Sequence, residues 1–163
     1  MKGHEGSLRC MCLSRDGRLL ATTSDTGTII RVFDASPSSS GKQLYEFRRG
    51  TDPAEIFSMA FSPGGKFLVV NSDKFDAHVF AVTQPELNET SKLGGWGLGA
   101  YMSSVWSATR IALPEVTSTV AFTSEREIAV VCYDRSYYLY ELSEAEGRLF
   151  ATRKGYTQLG RAQ

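Results

Sequence analysis

The stretch IFSMAFSPGGKFLVVNSD, residues 56–73, decides the fold because the chain carries a second version of it, LRCMCLSRDGRLLATTSD, at residues 8–25. In both versions an apolar strand pattern runs into a turn containing serine and glycine, and a second apolar run ends at a Ser-Asp pair. A third run follows each version, IRVF at residues 30–33 and AHVF at residues 77–80. Self-similarity of this kind indicates a repeat architecture.

A weaker third copy extends the repeat. The segment VAFTSEREIAVVCYD, residues 120–134, is followed by YLYEL at residues 138–142. KQLYEF, residues 42–47, adds a fourth strand to the first copy, and RLFATRKGY, residues 148–156, adds one to the third. Four short strands per unit at a period of about 45 residues are typical of propeller blades.

We therefore predict an all-β chain of WD40-like β-propeller blades, about three of them, with a helical or flexible insertion in the second. The predicted blades cover residues 4–50, 51–110 and 111–160, and the insertion covers residues 83–110. Three blades cannot close a ring, because propellers have four to eight. We therefore expect the chain to be a fragment of a longer propeller.

Charge and composition limit the function classes. The 163 residues carry 18 basic and 18 acidic side chains, so a broad basic surface for nucleic acid is not supported. Three cysteines without a disulfide framework favour a reducing compartment. No secretory signal and no run of about 20 apolar residues is found, so we expect a cytosolic chain that is at most peripheral to a membrane.

The segment YEFRRGTDP, residues 45–53, places two arginines at the end of a strand pattern. Successive side chains of a strand point to opposite faces, so Arg48 and Arg49 are predicted to serve two different sites. The guanidinium fork matches pairs of phosphate oxygens, which points to phosphate recognition. The alternative is a solvated strand end whose arginines pair with Glu46 and Asp52.

These residues carry a family resemblance. Following GTIIRVF at residues 27–33, the motif Phe47-Arg48-Arg49-Gly50 resembles the hallmark of the PROPPIN family, seven-bladed WD-like propellers that bind phosphoinositides. The resemblance runs from about residue 4 to about residue 159 and is strongest up to residue 82. It implies that the chain corresponds to the fifth to seventh blades of such a ring.

The resemblance also implies two pockets for phosphatidylinositol 3-phosphate and the 3,5-bisphosphate, one on each side of the arginine pair. The first would use Arg48, His4, Ser24, Thr28 and Arg31. The second would use Arg49, Thr51, Ser72 and His78. Three alternatives stay open. In the first, His4 has the structural role of a histidine in a WD blade. In the second, Ser24 and Ser72 form hydrogen bonds to local backbone in their turns. In the third, Arg31 forms a surface ion pair with Asp25.

The insertion contains KLGGWGLGAYMSSVWSATR, residues 92–110, with apolar side chains at helical spacing. Tryptophan and tyrosine favour the headgroup level of a bilayer, which fits the membrane-inserting loop that the resemblance implies here. The predicted inserting residues are Trp96, Leu98, Tyr101, Met102, Val105 and Trp106. The alternative is that they pack on the propeller or form a protein contact.

Function follows from these parts. No nucleophile motif or metal-ligand cluster occurs in the sequence, so we predict no catalysis, no metal and no cofactor. The predicted partners are phosphoinositide-containing membranes and autophagy proteins such as lipid-transfer or conjugation factors, with no nucleic acid. The predicted location is cytoplasmic, on autophagosomal precursor, endosomal or vacuolar membranes. The alternative is a WD-repeat scaffold that binds proteins and ignores lipid.

Overall fold

The computed structural model describes residues 4–39, 41–90, 105–114 and 117–160. The described residues form three sheets that each contain four antiparallel strands, and a two-residue fifth strand, β8 (Val105–Trp106), joins the first sheet in parallel. The first contains β1 (Leu8–Leu13), β2 (Leu19–Ser24), β3 (Ile29–Asp34) and β4 (Gln43–Arg48). The second contains β5 (Ile56–Phe61), β6 (Phe67–Ser72), β7 (Asp76–Ala81) and β9 (Thr109–Ala112). The third contains β10 (Ser118–Ser124), β11 (Glu127–Cys132), β12 (Ser136–Ala145) and β13 (Arg148–Gln158). The predicted all-β fold of propeller blades is therefore confirmed.

The sequence repeat is visible in the strand register. Leu8 faces Ser24 in the first sheet, and Ile56 faces Ser72 in the second. A register shift follows immediately after Leu8 in one pair and after Ile56 in the other. The first two blades are therefore built from equivalent positions.

The turn after the first strand is closed in the same way in both blades. The hydroxyl of Ser14 accepts a hydrogen bond from the Leu19 amide at 2.9 Å, and that of Ser62 accepts one from the Phe67 amide at 3.0 Å. The glycine of each turn has a positive φ, which other residues rarely adopt. This explains the shared Ser and Gly spacing of the two copies.

The core lies between the sheets, where two apolar clusters join neighbouring blades. Phe47 of the first sheet stacks on Phe80 of the second with ring centroids 4.9 Å apart. On its other face the second sheet packs against the third through side chains such as Phe67 and Ile128, both buried. Neighbouring blades thus bury apolar side chains against one another, as in other stacked repeats.

The second blade ends slightly later than predicted. Strand β9 pairs with β7 from Asp76 opposite Ala112 to Val79 opposite Thr109. It is therefore the fourth strand of the second sheet, and it extends two residues beyond the predicted boundary at residue 110.

The insertion differs from its predicted geometry where it can be described. It begins with a short 3₁₀ helix, Pro85–Leu87, and ends in β8 (Val105–Trp106), which pairs in parallel with the end of β4. The expectation of a helix reaching residue 106 is wrong at Val105 and Trp106, because their backbone pairs with neighbouring strands. The other predicted inserting residues, Trp96, Leu98, Tyr101 and Met102, lie outside the described residues. Within the described ranges, no helix has both the length and the apolar character needed to cross a bilayer.

Candidate functional site

The two adjacent arginines diverge to opposite faces of the first sheet. Phe47, next to them, is buried against the second blade. Arg48 lies on the other face, where its guanidinium is 6.0 Å from the ring centre of Trp106. Arg49 returns to the Phe47 side and lines a cleft on the second blade. The alternation of a strand therefore separates the arginines, as their spacing predicts.

The face that carries Arg48 also holds two of its predicted companions. Arg31 lies opposite Thr22 on one neighbouring strand and opposite Glu46 on the other, so all three side chains share this face. The Arg31 guanidinium donates to Glu46 Oε2 at 2.9 Å and to His4 Nδ1 at 3.1 Å. The surface pair of Arg31 is therefore with Glu46 and not with Asp25.

His4 is an acceptor at this site. Because arginine can only donate, Nδ1 of His4 must be unprotonated. Nε2, which lies 3.2 Å from the Thr22 carbonyl oxygen, then carries the hydrogen and donates it. Burial, followed by the positive charge of Arg31, lowers the pKa of His4 below 6.5. The ring is therefore neutral at pH 7, and the positive charge of this face comes from the arginines.

The remaining members of the first predicted site belong to a turn. Ser24 is buried, and its hydroxyl lies 2.9 Å from the Thr26 hydroxyl. The Thr28 carbonyl accepts a hydrogen bond from the Arg49 amide at 2.9 Å. The structure therefore places the Ser24 hydroxyl in a local turn contact with a side chain rather than with the backbone group that one alternative expects, and it places the Thr28 carbonyl against the Arg49 amide.

The other side of the motif opens into a cleft of about 990 Å³ along the rim of the second blade. The basic side chains and histidine that line it are Arg49, Lys74, His78, Arg110 and Arg148. The acidic ones are Asp52, Asp76, Glu86 and Glu89. Three of the four residues predicted for the second site, Arg49, Thr51 and His78, lie here together. Ser72 is fully buried, so its hydroxyl does not reach the surface of the cleft.

Arg49 is fixed by backbone groups. Only 5% of it is exposed, Nε donates to the Gly27 carbonyl at 2.8 Å, and Nη2 donates to the Asp52 carbonyl. Burial lowers the pKa of Arg49, while the carboxylates of Asp76 and Asp73 act in the opposite direction. The side chain stays charged, and it ties the β2–β3 turn to the connection between the first two blades.

His78 forms the floor of the cleft. It is 3% exposed, its Nδ1 lies 3.0 Å from the Ser107 hydroxyl, and its Nε2 lies 3.2 Å from Asp76 Oδ2 without hydrogen-bond geometry. Burial raises the pKa of Asp76, but His78, Arg49 and Arg110 together lower it further, so the net pKa lies below its usual value. Asp76 is therefore ionised, and its Oδ2 lies 4.0 Å from Arg110 Nη1.

Sequence reasoning missed part of this cleft. Ser107 lies inside the segment read as a membrane loop, although it packs on His78. Lys74 comes from the turn between β6 and β7, Arg148 begins β13 in a different blade, and the two share no sequence signal. Arg110 stands out in sequence only as a charge flanking the insertion. The partners of His78 could have been found only from the pairing of β9 with β7.

The chain matches known proteins over this whole region. A family model described as PROPPIN matches residues 1–144. The chain is 56% identical over 82 residues to SVP1-like protein 2 of Neurospora crassa, covering 50% of this chain and 18% of that protein. It is 44% identical over 90 residues to Autophagy-related protein 18 of Meyerozyma guilliermondii, covering 55% and 15%.

Solved structures give the same result. Hsv2 of Kluyveromyces lactis superposes with a TM-score of 0.78 at 27% identity, covering 96% of this chain and 49% of that one. KlAtg21, solved in complex with the coiled-coil of AgAtg16, superposes with a TM-score of 0.73 at 25% identity, covering 96% and 43%. The chain thus spans about half the length of these structures and a smaller share of the curated relatives. With the arginine motif, the blade register and a family match over residues 1–144, the chain belongs to the PROPPIN family.

Proposed function

We propose that this chain binds phosphatidylinositol 3-phosphate and the 3,5-bisphosphate at the rim of its first two blades, as a peripheral membrane protein in autophagy and endosomal trafficking. The observation that carries the proposal is the divergence of Arg48 and Arg49 into two different environments, each of which contains at least one further basic side chain. Family membership supplies the ligand class. In this proposal the protein is a lipid-binding protein and not an enzyme.

The chemistry of each environment suits a phosphorylated inositol. Arg48 and Arg31 lie on one face, and two guanidinium groups can contact a phosphate through several oxygens. In the cleft, Arg49, Lys74 and Arg110 supply positive charge, and the carboxylates can accept hydrogen bonds from inositol hydroxyls. Each site alone makes few contacts, so the two act together through effective concentration on one membrane.

The insertion is anchored where this mechanism needs it. Thr90 bridges to Val105, and Val105 pairs with Phe47 of the arginine strand. The described residues that flank positions 91–104, Thr90 and Val105, therefore lie beside the strand that carries the arginine pair. A loop anchored there can enter the bilayer whose headgroups the arginines contact, which supports the predicted membrane role of Trp96 and its neighbours.

Vesicle flotation tests the proposal. Vesicles of phosphatidylcholine and phosphatidylserine, with and without phosphatidylinositol 3-phosphate, are compared for the wild type and for Arg48→Thr plus Arg49→Thr. We expect binding that depends on the phosphoinositide and is lost in the variant. Arg15→Thr plus Arg18→Thr, in the exposed β1–β2 turn at the opposite end of the first blade, is the matched control. Unchanged flotation of the arginine-motif variant would contradict lipid recognition at this site.

A second candidate function is a protein-binding scaffold without lipid recognition. The complex of KlAtg21 with a coiled coil favours it, because that relative binds a protein. We extend this to the chain as a proposal that autophagy proteins are among its partners. Coiled-coil capture that persists when flotation is absent for every phosphoinositide would make the scaffold the better description.

A further inference from the structure

The outer edges of the three sheets differ. Strand β4, at the outer edge of the first sheet, is covered by β8. Strand β9, at the edge of the second, has four residues and is soon followed by Pro114. Strand β13, at the edge of the third, has eleven residues and is the last strand in its sheet. Among the described residues it is thus the longest outer edge without a further strand.

An open edge presents backbone N–H and C=O groups that another strand can pair with. From Thr152 to Gln158, every side chain of β13 is exposed, and Gly155 is half-buried. Tyr156 is 56% exposed, and Phe150, nearer the start of the strand, is 46% exposed. The edge therefore combines accessible backbone with aromatic surface.

The strand is also basic in a chain with no net charge. It contains Arg148, Arg153 and Lys154 and no carboxylate. Lys154 pairs with Glu141 on the neighbouring strand at 3.2 Å, whereas Arg153 forms no ion pair within the part of the chain that the structure describes. Charge on an edge strand disfavours pairing with a second copy of itself, because like charges would lie side by side. The same charge favours an acidic strand.

We propose that β13 takes an extended acidic segment of a partner protein as a fifth strand of the third blade. The first blade shows that an outer edge of this fold accepts such an addition, because β8 pairs with β4 in parallel. Backbone hydrogen bonds would supply the affinity. Arg153 would select acidic side chains on the face that it shares with Tyr156, and Phe150 would contact apolar side chains on the other face. The start of this strand, from Arg148 to Phe150, also lines the cleft that contains Arg49, whereas the exposed part from Thr152 to Gln158 does not line it.

Fluorescence polarisation with a labelled peptide of about ten residues, glutamate alternating with threonine or valine, tests the proposal. We expect wild-type protein to bind this peptide, and we expect the version with lysine in place of glutamate to bind at least about tenfold more weakly. A third peptide keeps the glutamates but is N-methylated at every second residue. It should also bind about tenfold more weakly, because it cannot complete the edge hydrogen bonds.

The protein variant Arg153→Glu plus Lys154→Glu reverses the charge of the edge. We expect this variant to stop binding the glutamate peptide and to bind the lysine peptide instead. The control variant Arg15→Glu plus Arg18→Glu should bind both peptides as the wild type does. Near-ultraviolet circular dichroism verifies that the third blade keeps its fold, and a variant that unfolds is replaced by Arg153→Glu alone. Equal binding of the N-methylated peptide, or unchanged binding by the charge-reversed edge, would overturn the proposal.

Discussion

Arg48 and Arg49 are the same residue type at adjacent positions, yet the fold uses them differently. Arg48 is half-buried and lies against an indole ring, whereas Arg49 is buried and bonded to two backbone carbonyls. A buried charged donor that is removed leaves its acceptors unsatisfied, which costs more than losing a partly exposed contact. Arg49 thus has a structural role, linking the first blade to the connection that follows it, as well as the proposed role of a phosphate ligand.

This difference can be measured with matched glutamine variants. We expect Arg49→Gln to lower the free energy of unfolding by about 2–3 kcal/mol, because the Gly27 and Asp52 carbonyls lose a charged donor. We expect Arg48→Gln to change it by less than about 0.5 kcal/mol. Urea unfolding followed by far-ultraviolet circular dichroism gives both values. Equal destabilisation by the two variants would show that the hydrogen bonds of Arg49 to the two carbonyls do not have this structural role.

The pKa of His4 gives a prediction about pH. Burial and then Arg31 lower this pKa below 6.5, so the folded state binds the proton more weakly than the unfolded state. The stability that the neutral ring provides is complete above pH 6.5 and is lost as the pH falls through the folded pKa. We therefore expect the urea concentration at the midpoint of unfolding to decrease when the pH is lowered from about 7.5 to about 5.5, and to decrease more for the wild type than for His4→Gln.

Nuclear magnetic resonance titration separates the causes of this shift. Arg31→Gln removes the positive charge that lowers the pKa of His4 but leaves the Glu46 carboxylate, which raises it. We expect the pKa of His4 to rise in this variant. An unchanged value would mean that Arg31 does not contact the ring in solution.

At the scale of elements, β8 joins the insertion to the arginine strand. Trp106 lies opposite Arg48 in the parallel pair, and its amide donates to the Glu89 carbonyl at 2.7 Å. Its ring therefore holds the Arg48 guanidinium in place and does not act only as a membrane anchor. Trp96, outside the described residues, keeps its predicted membrane role.

The two tryptophans should respond differently to substitution. We expect Trp106→Ala to weaken binding of the soluble headgroup inositol 1,3-bisphosphate severalfold, because a cation–π contact of about 0.5–1 kcal/mol at a partly exposed site is lost. We expect Trp96→Ala to weaken vesicle binding while soluble headgroup binding stays the same. Isothermal titration and flotation measure the two effects. Identical behaviour of the two variants in both assays would contradict this division of roles.

The elements also show what the sequence could reveal. Strands of the first two blades follow from the repeat, because alternation and turn chemistry act locally. The sequence could not reveal β8 in the same way. The strand has only two residues, which is too short for an alternating pattern, and the spacing of the apolar side chains around it favours a helix. The divergence of Arg48 and Arg49 is local and was predictable. The burial of Arg49 depends on the Gly27 carbonyl of a turn 22 positions away, and its position follows only from the folded sheet.

At the scale of the whole molecule, buried polar contacts connect the blades. Asn71 is fully buried in the second blade, and its amide donates to the carbonyl and the hydroxyl of Ser118 in the third blade at 2.8 and 3.0 Å. Its Oδ1 accepts from Ser58 at 2.6 Å, and the Ser58 hydroxyl accepts from the Val120 amide at 3.0 Å. This network holds β10 against β5 and β6, where apolar packing alone would allow the blades to slide.

Replacing Asn71 with leucine should therefore loosen one blade from the rest. The change keeps a similar volume but leaves Ser58 and Ser118 without their amide partner, so we expect a loss of about 2–4 kcal/mol in the free energy of unfolding. Thr119→Val, at an exposed position of β10, is the matched control and should change it by less than about 0.5 kcal/mol.

The same variant tests whether the blades unfold as one unit. Five of the seven tyrosines lie at residues 133–156 in the third blade, whereas both tryptophans precede that blade. Tyrosine circular dichroism and tryptophan fluorescence therefore follow different parts of the molecule. In the wild type the two transitions should coincide, as in a cooperative repeat stack with strong interfaces. In Asn71→Leu the tyrosine transition should occur at lower urea, because the interface of the third blade is weakened. Coincident transitions in the variant would show that apolar packing, and not the buried amide network, couples the third blade to the second.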